Sequence, residues 1–584
     1  MDKRLLENHQ KKVDEFYDFF EEDVGLFYSI QNRPDAYHTK ITQGKVHFYM
    51  TNADRMVALF DSGRPRDIEI GLKVVDAILA GQCKKEGATF GLWPYFYEES
   101  LEEMDAPDWN MADFNGINLL QLLLDYEDLL GYERTQKVKQ ACHDACRCIM
   151  HRDVTITYTN VTIMDIYMTL VFGERYDEEI LAYGKKKLKR FYHLVMNQQS
   201  FEEHSSPTYS VIVVDIIGLM LQHVKDADSL LMINELNDLE WSVISEHYHP
   251  KTGEWAGPMS RAYANFLDDT KHSFFEKALD FKIKLCDEQN FGLMDMRYDV
   301  VCPEKYVDFF TNQEKTLDRI KLLSRGFNYP YYEPPRIESL YISKDFTLGS
   351  FCLCGGWHQH KTLMAHFGDK QKKYCMHYRV LHNLYDFCSG FTATLQKSST
   401  ALSVTNFHTN RGDTHNDLDK VKNATISAND LRVRYQVEAN TDGIIDDIEI
   451  VKSENGCKLT IAGVPVEIGF DFAEISGLTP YFEIGKDGRF LNIDMVFYSG
   501  DATNINLNKL DSLVGVSHLV IGEENITPVS VSKDDEFIYA KMTVSGKELS
   551  EKCVYKPLEF TTSVSKTEQW IDGESLERIG EKNM

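Results

Sequence analysis

No run of this chain is apolar for long enough to cross a bilayer, so no helical membrane span and no membrane partner are expected. Positive charge is scarce. Lys and Arg number 63 against 91 Asp and Glu, a formal net charge of −28. Nucleic-acid binding needs a basic surface, so no nucleic-acid partner is expected. An anionic ligand would have to be short and held by a local cationic pocket. The twelve cysteines contain no CxxC pair, and the clusters Cys142/Cys146/Cys148 and Cys352/Cys354 lack zinc-site spacing and read as buried thiols. The opening stretch, MDKRLLENHQKKVDEFYDFF, has no apolar secretion core and no small-residue cleavage site; it reads as an amphipathic helix of a cytoplasmic protein. No strict repeat unit is visible, which weighs against a solenoid.

What the chain does have is a change of period. Up to about residue 335, segments such as RDIEIGLKVVDAILAG, FNGINLLQLLLDYEDLLG and SVIVVDIIGLMLQHV carry apolar residues at helical spacing, separated by short Gly- or Asp-bearing breaks. After YPYYEPPRIE the segments become β-branched and aromatic and often alternate, as in LRVRYQVEA and CKLTIAGVPVEIGFDF. The expected fold is α+β in two domains. Residues 1–335 form an (α/α) toroid of helical hairpins, and residues 336–584 form an antiparallel β-sandwich. The basic run KKKLKR from Lys185 lies within a helical segment and reads as a solvated face.

Several stretches place unusual residues where packing alone does not ask for them. GLWPYFYEESLEEMDAPDWNMADFNG is a long aromatic and acidic loop whose Trp93 and Trp109 could stack on a sugar ring or pin the loop to its domain. In YTNVTIMDIYMTL, Asn160 stands at a helix start, where capping would satisfy it. In FEEHSSPTYS, Pro207 makes the preceding residue extended, Ser206 or Thr208 can cap the apolar helix, and Tyr209 falls in its first turn. The partial positive charge there favours a phenolate. HYHPKTGEWAGPMSRAYANF breaks at Gly-Pro and then sets Arg261 beside Tyr263; the same stretch carries Trp255. In the strand-rich half, GGWHQHKTLMAHFGD offers His358, His360 and His366, and FHTNRGDTHNDLD offers His408, Asp413, His415 and Asp417. A His-X-His on a strand would put both imidazoles on one face, as a metal pair would need, but no third ligand is fixed.

Helices followed by a sandwich, with Asn160 at one helix start and Tyr209 some fifty residues on, resemble the heparinase II/III-like polysaccharide lyases, which include alginate and oligoalginate lyases. The resemblance implies a carbon–oxygen lyase that cleaves a uronic-acid glycosidic bond by β-elimination, with an acidic oligosaccharide as substrate. It implies that Asn160 neutralises the uronate carboxylate, that Tyr209 is the catalytic Tyr, and that His358 or His360 joins them. Arg261, Tyr263, His204, Trp93, Trp109, Trp255 and His408 stand as further catalytic or sugar-contacting candidates. In alginate-type members a His often accompanies the Asn; here Val161 follows Asn160, and His204 is the candidate for that role. No cofactor is required, a structural metal in the sandwich has no fixed ligand set behind it, and a homodimer is compatible with the architecture.

The chemistry ties these residue types together. The proton beside a uronate carboxylate is too weakly acidic to leave unless an amide, His or Arg stabilises the enolate-like charge. A base then removes it and an acid protonates the departing oxygen; a Tyr beside a cation, its pKa lowered from about 10, can serve as either. Two rival readings remain. One is a glycoside hydrolase using carboxylates from Glu98, Glu99, Asp108, Glu202 and Glu203. The other is a non-catalytic carbohydrate-binding protein.

Overall fold

The computed structural model describes residues 3–33, 38–328, 332–416 and 418–583. Helices occupy the first half and antiparallel strands the second, the α+β order that the change of period predicts. By its internal contacts the chain forms two compact units, each drawn from three stretches. Unit 1 comprises Met1–Asn197, Val211–Glu240 and Asp268–Cys302; unit 2 comprises Gln198–Ser210, Trp241–Leu267 and Pro303–Met584.

Unit 1 is built on helices α1 (Lys3–Glu15), α2 (Tyr49–Asp61), α3 (Pro65–Gly81), α4 (Met111–Asp125), α5 (Glu127–Arg152), α6 (Thr159–Tyr176) and α7 (Glu178–Gln198), with most of α8 (Pro207–His223) and α9 (Ala227–His247). Helix α4 packs against α2, α5 and α6. Helices α4 and α6 are apolar around most of their circumference and are buried almost throughout, the expected place for a helix with no polar face. Helix α7 comes close to α6 at Gly184, where a Cβ would stand 2.9 Å from the Leu170 nitrogen. The KKKLKR run on α7 is not wholly the solvated face that the sequence predicts. Lys186, Lys189 and Arg190 are exposed, but Lys187 is buried. Its ammonium pairs with Asp165 of α6, lies 3.3 Å from Asp153 and donates to Tyr183 Oη at 3.1 Å.

Unit 2 contains two large sheets. Nine strands form one, ordered Tyr481–Asp487, Phe490–Asn506, Thr425–Ala439, Lys373–His382, Leu363–Gly368, Phe346–Phe351, Arg336–Ile342 and Leu317–Ser324, with Tyr385–Asp386 paired to Lys373–His382. Seven form the other: Leu353–Gly355, Gly390–Lys397, Thr400–Phe407, Leu513–Ile521, Val464–Ile475, Gly456–Ile461 and Glu449–Lys452. Their inner faces share one apolar core, with Met376, Val433, Tyr435 and Ile493 from the first sheet and Phe407, Val466, Leu513 and Leu519 from the second. Hydrogen bonds between the Tyr378 and Thr405 hydroxyls (2.6 Å) and between those of Tyr435 and Ser517 (3.1 Å) tie the sheets together. This is the sandwich that the alternating segments predict. The alternate residues Leu402, Val404, Val514 and Val516 pack instead with Ile538, Ala540 and Met542 of a further five-stranded sheet. The middle sheet is therefore buried on both faces, which is why Thr400–Phe407 is buried at every position.

Among the described residues no helix is long and apolar enough to cross a membrane. All twelve cysteines are free thiols, and all but Cys83 are buried.

Candidate active site

Three stretches of unit 2 meet to build one polar centre. The first, Phe201–Ser206, ends where α8 begins: the Ser206 Oγ accepts from Tyr209 N at 3.4 Å and caps the helix, as the Ser-Pro-Thr pattern predicts. The second is Pro258–Tyr263, and the third is the turn Trp357–Lys361. Serines stitch the first two together, Ser205 donating to Pro258 O (2.5 Å), Ser206 to Arg261 O (2.5 Å) and Ser260 to His204 O (2.6 Å). Backbone bonds join the second to the third, Met259 and Lys361 exchanging N–H to carbonyl bonds at 3.1 and 3.0 Å while Ala262 N donates to Gln359 O at 2.9 Å. The Gly257–Pro258 break is a packing requirement, because a Cβ on Gly257 would stand 2.6 Å from Met364 Cβ.

Arg261 is the hub. Its Nε donates to Gln359 Oε1 at 2.7 Å, one Nη to Glu203 Oε1 at 3.1 Å, and the other to Tyr209 Oη at 2.8 Å. The guanidinium lies over the Tyr209 ring at 4.7 Å and the Trp357 ring at 5.3 Å, so cation–π attraction adds to the hydrogen bonds in holding it. The Tyr209 hydroxyl is 2.8 Å from that of Tyr263, which is 60% exposed. The result is a run from a buried carboxylate (Glu203) through a cation and a part-buried phenol to an exposed phenol.

Two expectations change here. Arg261 is committed to Glu203, Gln359 and Tyr209, so it orients the phenol and is not held ready as a carboxylate clamp. The Tyr209 phenol does not move toward phenolate. Burial pushes it well above its ordinary value, Arg261 pulls it down, and Tyr263 and Glu203 add to the rise. Desolvation outweighs the helix terminus and the cation.

His358 and His360 are not on a strand. They sit in the turn after Gly355–Gly356, so strand alternation does not place their rings. His360 Nδ1 is 2.9 Å from Gly355 O, and burial, followed by the Arg336 charge, pushes its imidazole down to about 3. His358 stands beside Gln359 with Nδ1 3.3 Å from Tyr385 Oη; burial lowers it too. His204 is a core residue, edge-on to Phe351 and pushed down to about 3 by burial. His408 is sealed between Phe391 and Phe560 at 5.0 Å from each, and His366 is likewise buried, bonded to Asn265 O at 2.9 Å. Trp255 is fully buried and donates to Ser205 Oγ at 3.2 Å, so it offers no face to a sugar.

In unit 1, Trp93 is buried with its indole N–H on Ile78 O at 2.8 Å, which makes it the pin of its loop, while Trp109 is half-buried. Asn160 lies within the first turn of α6, buried; the capping position is Tyr158, so Asn160 is not the cap. The carboxylates proposed for hydrolysis have protein partners. Glu98 bonds His47, Glu99 accepts from Lys40 N, Asp108 accepts from Asn110 N, and Glu202 accepts from Gln198 and Ser324. Asp413 pairs with His382 at 2.9 Å; Asp417 lies outside the described residues. Among the described residues no three His, Cys, Asp or Glu side chains gather to hold a metal ion.

The family model that matches this chain is a domain of unknown function (DUF8769), over residues 3–275. No curated protein matches it. A solved crystal structure, that of heparinase III, is similar at 11% sequence identity and a TM-score of 0.43, covering 95% of this chain and 91% of its own.

Sequence reasoning missed Gln359 and Trp357 as parts of the centre and Glu203 as the partner of Arg261. The GGW before His358 carries a turn signal that would have put this stretch on a loop. Nothing local connects Glu203 or Gln359 to an arginine 58 or 98 residues away.

Proposed function

We propose that this chain is a lyase that cleaves uronic-acid glycosides by β-elimination, with the Tyr209–Tyr263 pair moving the protons. The observation that carries the reading is the unbroken run Glu203–Arg261–Tyr209–Tyr263, buried at its carboxylate and open at its last phenol. Elimination needs two proton transfers, and two phenols 2.8 Å apart can divide them. Burial keeps the proton on Tyr209, so Tyr263 acts as the base that takes the proton from the carbon beside the carboxylate. The C–H electrons become the new carbon–carbon double bond as the glycosidic bond breaks, and Tyr209 gives its proton to the departing oxygen. Proton return from Tyr263 to Tyr209 along their hydrogen bond resets the pair. The charge of Arg261, which bonds the Tyr209 hydroxyl, stabilises that oxygen as its proton leaves. Beside Arg261, the Gln359 amide is the donor for the uronate carboxylate, and His358, whose Nε2 faces that amide nitrogen at 3.4 Å, orients it. Asn160 enters as a second amide on the resemblance alone, and Asn160→Ala is expected to lower kcat.

The net charge of −28 opposes a long anionic polymer, so the substrate is a short acidic oligosaccharide. The test is ultraviolet absorbance during incubation with a panel of short uronate-containing oligosaccharides. A rising signal from a 4,5-unsaturated uronate supports elimination. Flat absorbance with new reducing ends would overturn it in favour of hydrolysis. Silence in both, with or without binding, would also overturn it.

A further inference from the structure

A strained hairpin stands next to this centre. Strands Lys373–His382 and Tyr385–Asp386 are joined by two residues, with His382 paired to Tyr385. Both turn residues are left-handed, Asn383 at φ 51° and Leu384 at φ 66°. A two-residue hairpin of this kind asks for Asn-Gly; Asn fits its place, whereas a Leu at positive φ is a genuine outlier. Such strain persists only where its surroundings over-determine it, and it gathers at functional sites.

The surroundings here do over-determine it. Asn383 Oδ1 accepts from Asn429 N (2.8 Å) and Asp430 N (3.3 Å), its Nδ2 donates to Ser427 O (3.0 Å), and its backbone N–H donates to Asp430 O (2.9 Å). On one side of the turn, His382 is fixed by Asp413 (2.9 Å) and Ser427 O (3.1 Å). On the other, Asp386 holds Arg379 in a two-bond fork at 2.9 and 2.6 Å.

What this rigid frame presents to solvent is apolar: Leu384 is 58% exposed and Tyr385 45%. A glycine would make the same turn without strain and without exposing a large side chain, so the turn alone does not account for Leu384. The position is specific as well. The Tyr385 hydroxyl is 3.3 Å from His358 Nδ1, with the two rings 5.9 Å apart. His358 adjoins Gln359, which holds Arg261. The charged groups of the frame, Asp413 and Asp386, are paired, so the tip works by shape and apolar contact.

We propose that Leu384 and Tyr385 form a sugar subsite that takes the pyranose ring next to the reacting uronate, its apolar C–H face lying on the tyrosine ring and the leucine. The proposal rests on the lyase reading for the centre it adjoins. Orientation by a few placed polar groups beside an apolar platform is the usual economy of a ligand site. It implies that the protein works on chains long enough to cover both places, and that the hairpin sets this length preference.

The test compares wild type, Tyr385→Ala, Tyr385→Phe and Leu384→Gly, using the uronate di- and trisaccharides of the panel as probes, with calorimetric binding, steady-state kinetics and thermal melting. For Tyr385→Ala the subsite predicts about a tenfold rise in Kd and KM for the trisaccharide, with kcat and the disaccharide changed less than about twofold. Tyr385→Phe keeps the ring and stays near wild type. Leu384→Gly is the sharpest case, because relief of strain raises Tm while trisaccharide binding weakens about threefold. A purely structural hairpin would show the rise in Tm with binding unchanged, and that result overturns the subsite. If wild type binds and cleaves the panel while every hairpin variant matches it, the subsite alone falls. If wild type neither binds nor cleaves any member, the lyase reading falls and the subsite with it.

Discussion

Each unit packs a carboxylate, a cation and a tyrosine together, and the two arrangements reach solvent through different groups. In unit 1, Lys187 sits at 1% exposure against Asp165, with Asp113 fully buried and Tyr183 alongside, and the set ends on the exposed carboxylate of Asp153, 3.3 Å from Lys187 and bonded to Tyr183. Burial, and then the charge of Asp165, pushes the Asp113 carboxyl well above its usual range. In unit 2, Glu203, Arg261 and Tyr209 make a similar set, but the run continues to Tyr263 at 60% exposure. A desolvated ion pair by itself has a structural explanation, since a charge removed from water must be paired. The exposed end of the unit 1 set is a second carboxylate that helps balance Lys187, whereas the exposed end of the unit 2 set is a second phenol, which no buried charge needs as a partner. Perturbed titration alone would rank both centres as functional; the group at the exposed end separates them.

The comparison is broken most forcefully in unit 1. Lys187→Met leaves Asp165 buried without its cation and is expected to cost about 3–5 kcal/mol, read as a fall in the urea midpoint. Turnover per folded molecule should hold. A variant as stable as wild type would show that this pair is not desolvated at all.

A third buried set sharpens the point through pH. Glu338 is fully buried between His247 Nε2 (2.8 Å) and Arg319 Nη2 (2.7 Å). Burial pushes its carboxyl up, but His247 and Arg319 outweigh that and hold it at about 2, against 4.5 unperturbed. The folded carboxyl binds its proton more weakly than the unfolded one. Its contribution, on the order of 3 kcal/mol, is therefore complete above about pH 4.5 and is lost as pH falls toward 2. Unfolding midpoints from pH 6 down to pH 3 should show a steep acid limb that Glu338→Gln flattens; an unchanged limb would refute the assignment.

A smaller effect is expected in unit 2. Arg261→Lys keeps the charge but cannot bond Gln359, Glu203 and Tyr209 at once, so kcat should fall about 10- to 100-fold, roughly 1.4–2.7 kcal/mol of barrier, with little change in Tm. Equal losses of stability in Lys187→Met and Arg261→Lys would erase the distinction between the two centres.

The architecture was legible because periods of 3.6 and 2 report which faces are buried, and because helices such as α4 and α6, apolar all round, have nowhere to lie but a core. Tyr209 in a capped first turn was legible from Ser206–Pro207–Thr208. Lys187 was hidden inside a run of like charges, because a single residue of a basic stripe can turn inward without altering the pattern. The balance at Tyr209 has the opposite sign to the one its sequence neighbours suggest: the cation is visible in sequence, whereas the burial that outweighs it belongs to the tertiary structure. His358 and His360 follow Gly355–Gly356, a local turn signal that outweighs the strand pattern around them. His204, His408 and Trp255 looked available because nothing in a sequence distinguishes a buried ring from a presented one.

The most direct measurement is the rate of unsaturated-uronate formation by wild type and by Tyr209→Phe on one panel substrate, with Tm measured for both. Losing only the hydroxyl should leave Tm within a few degrees and lower the rate by about 10²- to 10⁴-fold, the span expected for a positioned acid–base group. A folded Tyr209→Phe that turns over at the wild-type rate would contradict the account, since the run from Glu203 to Tyr263 would then have no part in the chemistry.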